Sequence, residues 1–476
     1  MSALVFVHGW SVTNTSTYGS LPKALADRAA QAGSTLRVLD IYLSEYVTFD
    51  DSVTMDDIVR AFDHALRGLS LPDGTFDCIT HSTGGPVAMA WLHAQRDRPT
   101  LFAPIRLRHL VMLAPAHFGS ALATLGKSVV GHLKAWFDGV EPGQRILDWL
   151  EHGSPESVAQ ALDVIHGPDP AAHGTWLFNL TGDRPDRKFY DFVNSYTGED
   201  GSDGVVRMAA ANLNARHCVL TQRAGTATLD MTISKAPRSA FKLLPGLAHS
   251  GGEHGIMASE PPSTVTIDAI LRCLAVSSAA SYAALCDAFA TENAQRDRDK
   301  VETEKKLLTS RTHIHDPRSL LIFRLLDDRG ETLRDARFLL TAGPTASPND
   351  LPPGFSTDRQ ASSRSAATVT MFLNYALFAG DAPVPDPRQP GGVLRPAQPS
   401  HRPYGVRIQP ADVTGLIRHI VAATASDDDL LDALGPHETT ILDVVLSRRV
   451  AEGVFRLTQN LQAVDFSQPV SGMDIV

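Results

Sequence analysis

The tightest constraint on this chain is the stretch Thr75-Phe-Asp-Cys-Ile-Thr-His-Ser-Thr-Gly-Gly-Pro-Val-Ala88. A short apolar strand over Phe76 to Thr80 runs into a sharp turn at His81-Ser82-Thr83, and a helix opens at Gly84-Gly85-Pro86. This order lifts a serine onto the tip of a strand-to-helix elbow. So tight a turn demands small residues two before and two after the serine, and close approach of the helix to the strand. Gly84 meets the demand on the far side, with Gly85 beside it. On the near side Thr80 stands where glycine is usual, so the pattern reads T-H-S-T-G. A helix N-terminus behind Ser82 favours the negative charge that develops in acyl transfer. The same residues also suit a plain polar turn before a capped helix. The rest of the chain has to discriminate.

Upstream, Ala3 to Val7 is a continuous apolar run of the kind found in buried parallel strands, and it ends in His8-Gly9-Trp10. A His-Gly turn after an early strand brings a following backbone N–H to face the serine. The N–H groups of Trp10 and Thr83 are therefore the candidate oxyanion hole. Helical spacing over Tyr18 to Ala32, a strand over Thr35 to Tyr42 and an amphipathic helix from Thr54 through Leu69 lead up to the elbow strand. Leu107 to Ala114, Thr175 to Thr181 and Arg238 to Leu244 read as further strands. Such alternation predicts a parallel α/β sheet. Residues of about 120–173 read as mostly helical with apolar faces: either a cap or lid insertion, or an ordinary helical layer.

A catalytic serine needs a histidine, and the histidine needs a carboxylate to orient it and to stabilise its charged form. The Gly-rich acidic loop Tyr196-Thr-Gly-Glu-Asp-Gly-Ser-Asp-Gly-Val-Val-Arg207 offers Asp203, in a D-G-x-V turn at a late strand end. Glu199 and Asp200 are its neighbours, and Asp200 is the reserve acid. After Leu244, the loop Pro245-Gly-Leu-Ala-His-Ser-Gly-Gly-Glu-His-Gly-Ile-Met257 carries two histidines. His249 follows the strand directly and is preferred, with His254 in reserve. The order serine, acid, histidine is that of α/β-hydrolases.

At 476 residues the chain is expected to hold two domains. Residues 1–278 read as the hydrolase core, 279–312 as a charged connecting helix, and 313–476 as a mainly-β, sandwich-like domain. Asp327-Asp-Arg-Gly330 looks like a turn, and Asp381 to Pro403 a Pro-rich extended loop. His313-Ile-His-Asp316 can be read as metal ligands, but H-x-H alone is a weak signal, and no metal or cofactor is expected. A net charge of -10 speaks against broad nucleic-acid binding. Cys78, Cys218, Cys273 and Cys286 are scattered in apolar segments, as reduced buried thiols would be. The N-terminus lacks the basic region and apolar length of a signal peptide, and no run approaches the roughly 18 apolar residues of a membrane span. Synthesis in the cytoplasm and, at most, peripheral membrane contact are expected.

With these residues assembled, the sequence resembles the PlaB family of cell-associated bacterial phospholipases A. The resemblance rests on Phe6-Val-His-Gly-Trp-Ser-Val-Thr13 with Thr17-Tyr-Gly19, and on Thr80-His-Ser-Thr-Gly-Gly85. It extends to Met112-Leu-Ala-Pro-Ala116 with Gly119-Ser-Ala-Leu122, Ser202-Asp-Gly-Val-Val-Arg207, and Leu244-Pro-Gly-Leu247 with His249-Ser-Gly251. In that family T-H-S-T-G is itself characteristic. The resemblance implies Ser82 as nucleophile, Asp203 as acid and His249 as base. It also implies phospholipase A and lysophospholipase A activity on phospholipid, membrane association without a span, and homo-oligomerisation. A triacylglycerol lipase or general carboxylesterase on the same machinery is the nearer alternative, and a non-catalytic hydrolase-fold binding protein the remoter one.

Overall fold

The computed structural model describes residues 2–8, 17–48, 50–126, 143–184, 200–223, 226–251, 254–305, 310–333, 336–365, 367–410, 417–419, 423–425 and 429–450. Its first half is built on β1 (Ser2–His8), α1 (Leu21–Gln31), β2 (Leu36–Tyr42), α2 (Met55–Gly68), β3 (Thr75–His81), α3 (Gly84–Asp97) and β4 (Arg106–Leu113). After the short α4 (Ala121–Gly126) come helices Gln144–Leu150 and Pro155–His166, then β5 (Trp176–Gly182). A hairpin of β6 (Arg216–Gln222) and β7 (Thr228–Lys235) precedes β8 (Ala240–Leu244). Six strands form a wholly parallel sheet in the order β2-β1-β3-β4-β5-β8.

Side-chain alternation along the strands divides this sheet between two cores. Leu4, Phe6, Ile79, Val111 and Phe178 face α1 and the helices Thr264–Leu274 and Ala279–Arg298. Ala3, Val5, Val7, Cys78, Leu110 and Met112 face α2, α3 and the helices of 144–166. The predicted start of α2 is present as a reciprocal cap: Thr54 accepts from the Asp57 amide, and Asp57 accepts from the Thr54 amide.

The connecting helix expected over residues 279–312 stops at Arg298. Its first half is not solvated, because Tyr282, Leu285, Cys286 and Phe289 recur at helical spacing and are buried. The Tyr282 hydroxyl donates to the Leu177 carbonyl at 2.8 Å, which ties the helix to β5. Beyond Asp299, β9 (Val301–Lys305) and β10 (Ser310–Ile314) pair as an antiparallel hairpin.

The second half contributes β11 (Arg318–Asp327), β12 (Ala336–Ala342), β13 (Ser356–Ala361) and β14 (Thr368–Asn374). A two-stranded ladder of β15 (Val384–Pro385) and β16 (Val393–Arg395) follows, then β17 (Tyr404–Pro410), β18 (Ile417–His419), β19 (Ala423–Ala425), β20 (Thr439–Leu446) and β21 (Arg448–Val450). Nine strands join in one mixed sheet, β12-β17-β19-β7-β6-β20-β11-β14-β13. If this sheet were flat, β11 and β12 would lie roughly 29 Å apart, six strand spacings. Yet the rings of Phe323 on β11 and Phe338 on β12 stack with centroids 3.8 Å apart. The sheet therefore doubles over on a core of its own, giving the sandwich-like character.

The two halves interlock. The hairpin β6–β7 lies within the first 278 residues but pairs into the second sheet, β6 running parallel to β20. Leu320, Ile322 and Ile441 on the opposite face of β11 and β20 enter the core shared with the first sheet. Within the 120–173 segment, Ile146, Leu147, Trp149, Leu150, Val158 and Ile165 are buried in that same core. These two helices thus form a layer between the sheets. Residues 127–142 of the expected cap lie outside the described residues. Among the described residues no helix is long and apolar enough to cross a membrane.

Candidate active site

β3 delivers Ser82 with φ +53, a left-handed backbone that a serine adopts only at a cost of roughly 1–3 kcal/mol. The neighbouring strand β4 and the first turn of α3 hold it there. The Ser82 amide donates to the Leu113 carbonyl at 2.9 Å, and the Ser82 carbonyl accepts from the Gly85 amide at 3.2 Å. A Cβ on Gly84 would lie 3.2 Å from the Thr80 Cβ, and one on Gly85 would lie 2.6 Å from the Pro115 Cβ. The threonine that replaces the usual glycine is thus accommodated by a glycine on the other side of the serine. Thr83 is the N-cap residue of α3, so the N-terminal end of that helix lies behind Ser82.

Asp203 and His249 are brought together from 46 residues apart. His249 Nδ1 lies 2.9 Å from Asp203 Oδ2, and the His249 amide donates to the Asp203 carbonyl at 3.0 Å. Asp203 Oδ1 accepts the amides of Val205 at 3.0 Å and Val206 at 2.7 Å. Both side chains are buried. With its acceptors committed in this way, the carboxylate is suited to hold an imidazole and to stabilise its cation. The other ring nitrogen, His249 Nε2, is buried without a hydrogen-bond partner among the described residues.

The elbow reaches this pair through His81, a residue quoted in the T-H-S motif but given no role by sequence. His81 Nε2 lies 2.9 Å from the His249 carbonyl, and the two rings are 4.6 Å apart. Burial, reinforced by the neighbouring His249, holds His81 well below the usual histidine range. It is therefore neutral and, since it faces a carbonyl, donates from Nε2. Adjacency to the serine was the only signal that could have singled it out.

The reserve acid lies elsewhere. Asp200 sits 3.4 Å from His315 Nδ1 and 3.9 Å from Arg318 Nη2, on the side of the second sheet. His315 also contacts Glu302 at 2.9 Å, so the H-x-H stretch is engaged in ion pairs. Among the described residues no cluster of His, Cys, Asp and Glu suits a metal ion. His254 offers its carbonyl to the Ala248 amide at 2.8 Å, folding the histidine loop back on itself. Glu199 and Trp10 lie outside the described residues. His8, just before the proposed oxyanion turn, is buried with Nε2 3.0 Å from Asp40 Oδ1. Cys78, Cys218, Cys273 and Cys286 are all buried free thiols.

No family model and no curated protein sequence matches the chain. Two solved structures of phospholipase PlaB from Legionella pneumophila, one in complex with thio-NAD, do match. Each is 37% identical, with a TM-score of 0.82, and the match covers 100% of this chain and 100% of theirs. Mature lipase BlEst2 from Bacillus licheniformis aligns with 58% of this chain and 92% of its own at 16% identity and a TM-score of 0.39. The likeness to PlaB thus spans both the parallel sheet with its serine elbow and the interlocked second sheet, and on that full-length identity this chain belongs to the PlaB phospholipase family.

Proposed function

We propose that this protein hydrolyses acyl esters of glycerophospholipids, and of their lyso forms, through Ser82, His249 and Asp203. His249 Nε2 takes the proton of Ser82 Oγ as the oxygen attacks the acyl carbonyl. The backbone N–H groups of Thr83 and Trp10 receive the oxyanion. Collapse of the tetrahedral species breaks the ester bond, and His249 gives the proton to the departing alcohol oxygen of the glycerol. Water, deprotonated by the same histidine, then attacks the acyl-enzyme and frees the fatty acid. Every step runs on protein groups.

The observation that carries this reading is the double hold of Asp203 on His249 beside a strained serine, in a chain alike over its full length to a phospholipase. In this reading residues 1–278 carry the chemistry. Residues 313–476, joined by the hairpin β6–β7, serve surface binding or assembly of a peripheral, homo-oligomeric enzyme.

The test is fatty-acid release from phosphatidylglycerol and phosphatidylcholine vesicles by wild type and by Ser82→Ala. Release that vanishes in the variant supports the proposal. Cleavage of soluble esters alone would point to a carboxylesterase or lipase, and cleavage of neither to a binding protein.

A further inference from the structure

The loop that carries Asp203 is a tight hairpin seated on the second sheet. Ser202 and Arg207 form an antiparallel bridge, and the Asp203 amide donates to the Val206 carbonyl at 3.1 Å. On one side Ser120 Oγ donates to the Val205 carbonyl at 2.5 Å. On the other, the fully buried Arg207 reaches across the junction, its Nη2 lying 2.5 Å from Asp358 Oδ2. The two side chains are 1% and 9% exposed, so the pair works out of water. The guanidinium lies over the Phe372 ring at 4.3 Å. That ring and Arg318 also close on the turn itself: a Cβ on Gly201 would come within 2.7 Å of Arg318 Cδ and 3.0 Å of Phe372 Cζ.

The second sheet is shaped to make this contact. Asp358 and Phe372 are partners on the edge pair β13–β14, and the register between the two strands slips between Ser356 and Asp358. Such a bulge re-aims a side chain. Burying one charge of each sign without good geometry is costly, and leaving either unpaired is more so. An arrangement that places a buried ion pair four residues from the acid of a catalytic site therefore demands a reason beyond cohesion. A carboxylate misplaced by about 1 Å costs on the order of a hundredfold in turnover.

We infer that Asp358, through the Arg207 guanidinium packed on Phe372, is a positioning residue that sets the orientation of Asp203 towards His249. The edge of the second sheet is thereby part of the hydrolytic apparatus although it touches no reacting atom. This inference rests on the functional reading above and deepens it.

The experiment compares Asp358→Ala, Asp358→Glu, Arg207→Lys and Asp203→Asn in the full-length chain. It measures kcat and KM of fatty-acid release together with the folded fraction by circular dichroism. Per folded molecule, kcat of Asp358→Ala should fall on the order of tenfold or more with KM changed less than about twofold. Asp358→Glu should restore part of the loss, whereas Arg207→Lys, which cannot keep the planar stacked geometry, should resemble Asp358→Ala. If Asp203→Asn abolishes turnover while Asp358→Ala keeps wild-type kcat, or loses activity only in proportion to its folded fraction, the inference falls and the functional reading stands. If Asp203→Asn itself turns over normally, both fall.

Discussion

Asp203 grips His249 at two points, side chain to ring at 2.9 Å and carbonyl to amide at 3.0 Å. The second contact fixes where the histidine sits in the chain, and the first fixes which way its ring faces. Loss of the carboxylate charge should therefore leave the fold intact and strand the imidazole in the wrong tautomer. Asp203→Asn is expected to lower kcat by about 10⁴. His249→Ala should be comparably inactive, and His254→Ala should keep turnover within about twofold. Fatty-acid release by the three variants decides. An inactive His254→Ala beside an active His249→Ala would reassign the base.

The fit of Thr80 against Gly84 gives a second expectation. Gly84→Ala forces a Cβ to 3.2 Å from the Thr80 Cβ and should cost about 1–3 kcal/mol. Thr80→Gly opens that space, so the double variant should recover much of the loss. A double-mutant cycle by urea denaturation measures the coupling. Strict additivity would show that the threonine and the glycine do not constrain one another.

His81 predicts a third. Its Nε2 lies against the His249 carbonyl, a backbone group that takes no part in the proposed proton transfers. His81→Phe keeps the ring but not the donor, so kcat should drop on the order of tenfold with KM little changed. Unaltered kcat would remove His81 from the positioning of the base.

Stability should be acid-sensitive because of buried neutral histidines. Burial holds His117 down to about 4, although its bond to Asn179 opposes the shift. Burial, with the Arg207 charge adding, holds His152 to about 3. In the unfolded chain both return to about 6.5. Between the folded and unfolded values the unfolded state binds more protons, so stability is full above about pH 6.5 and falls as pH drops. His117 alone should cost about 3 kcal/mol by pH 4. Urea midpoints from pH 7 to 4.5 check this, and His117→Gln should flatten the slope. An equally steep slope in that variant would show that His117 is not its source.

Most of the first half was legible in the chain because its signals are local. The apolar run of β3, the steric demand around Ser82 and the Thr54–Asp57 cap each involve neighbours in sequence, and the structure shows the strand, the strained serine and the cap at those places. The segment Thr439–Leu446 of β20 is likewise rich in β-branched and aliphatic residues, interrupted by Asp443. Where the charged helix ends was not legible. Helical spacing and charge persist past Arg298, and only pairing with Ser310–Ile314 turns the Val301–Lys305 stretch into a strand.

The sequence by itself determined most strands of the parallel sheet, the serine elbow and the chain order of Ser82, Asp203 and His249, because side-chain period and turn sterics act over a few residues. Tertiary structure alone decided which elements share a sheet and which charges meet. Cys218 and Leu220 alternate inward on β6, a strand that the sequence reading did not pick out, and no local pattern says that it pairs with β20 rather than β8, since hydrogen bonding between strands carries no local signature. Nor can spacing show that Arg207 meets Asp358, 151 residues on, or that Asp200 turns to His315 while Asp203 turns to His249. Neighbouring carboxylates in one acidic loop look alike until the packing of two interlocked sheets gives each its own partner.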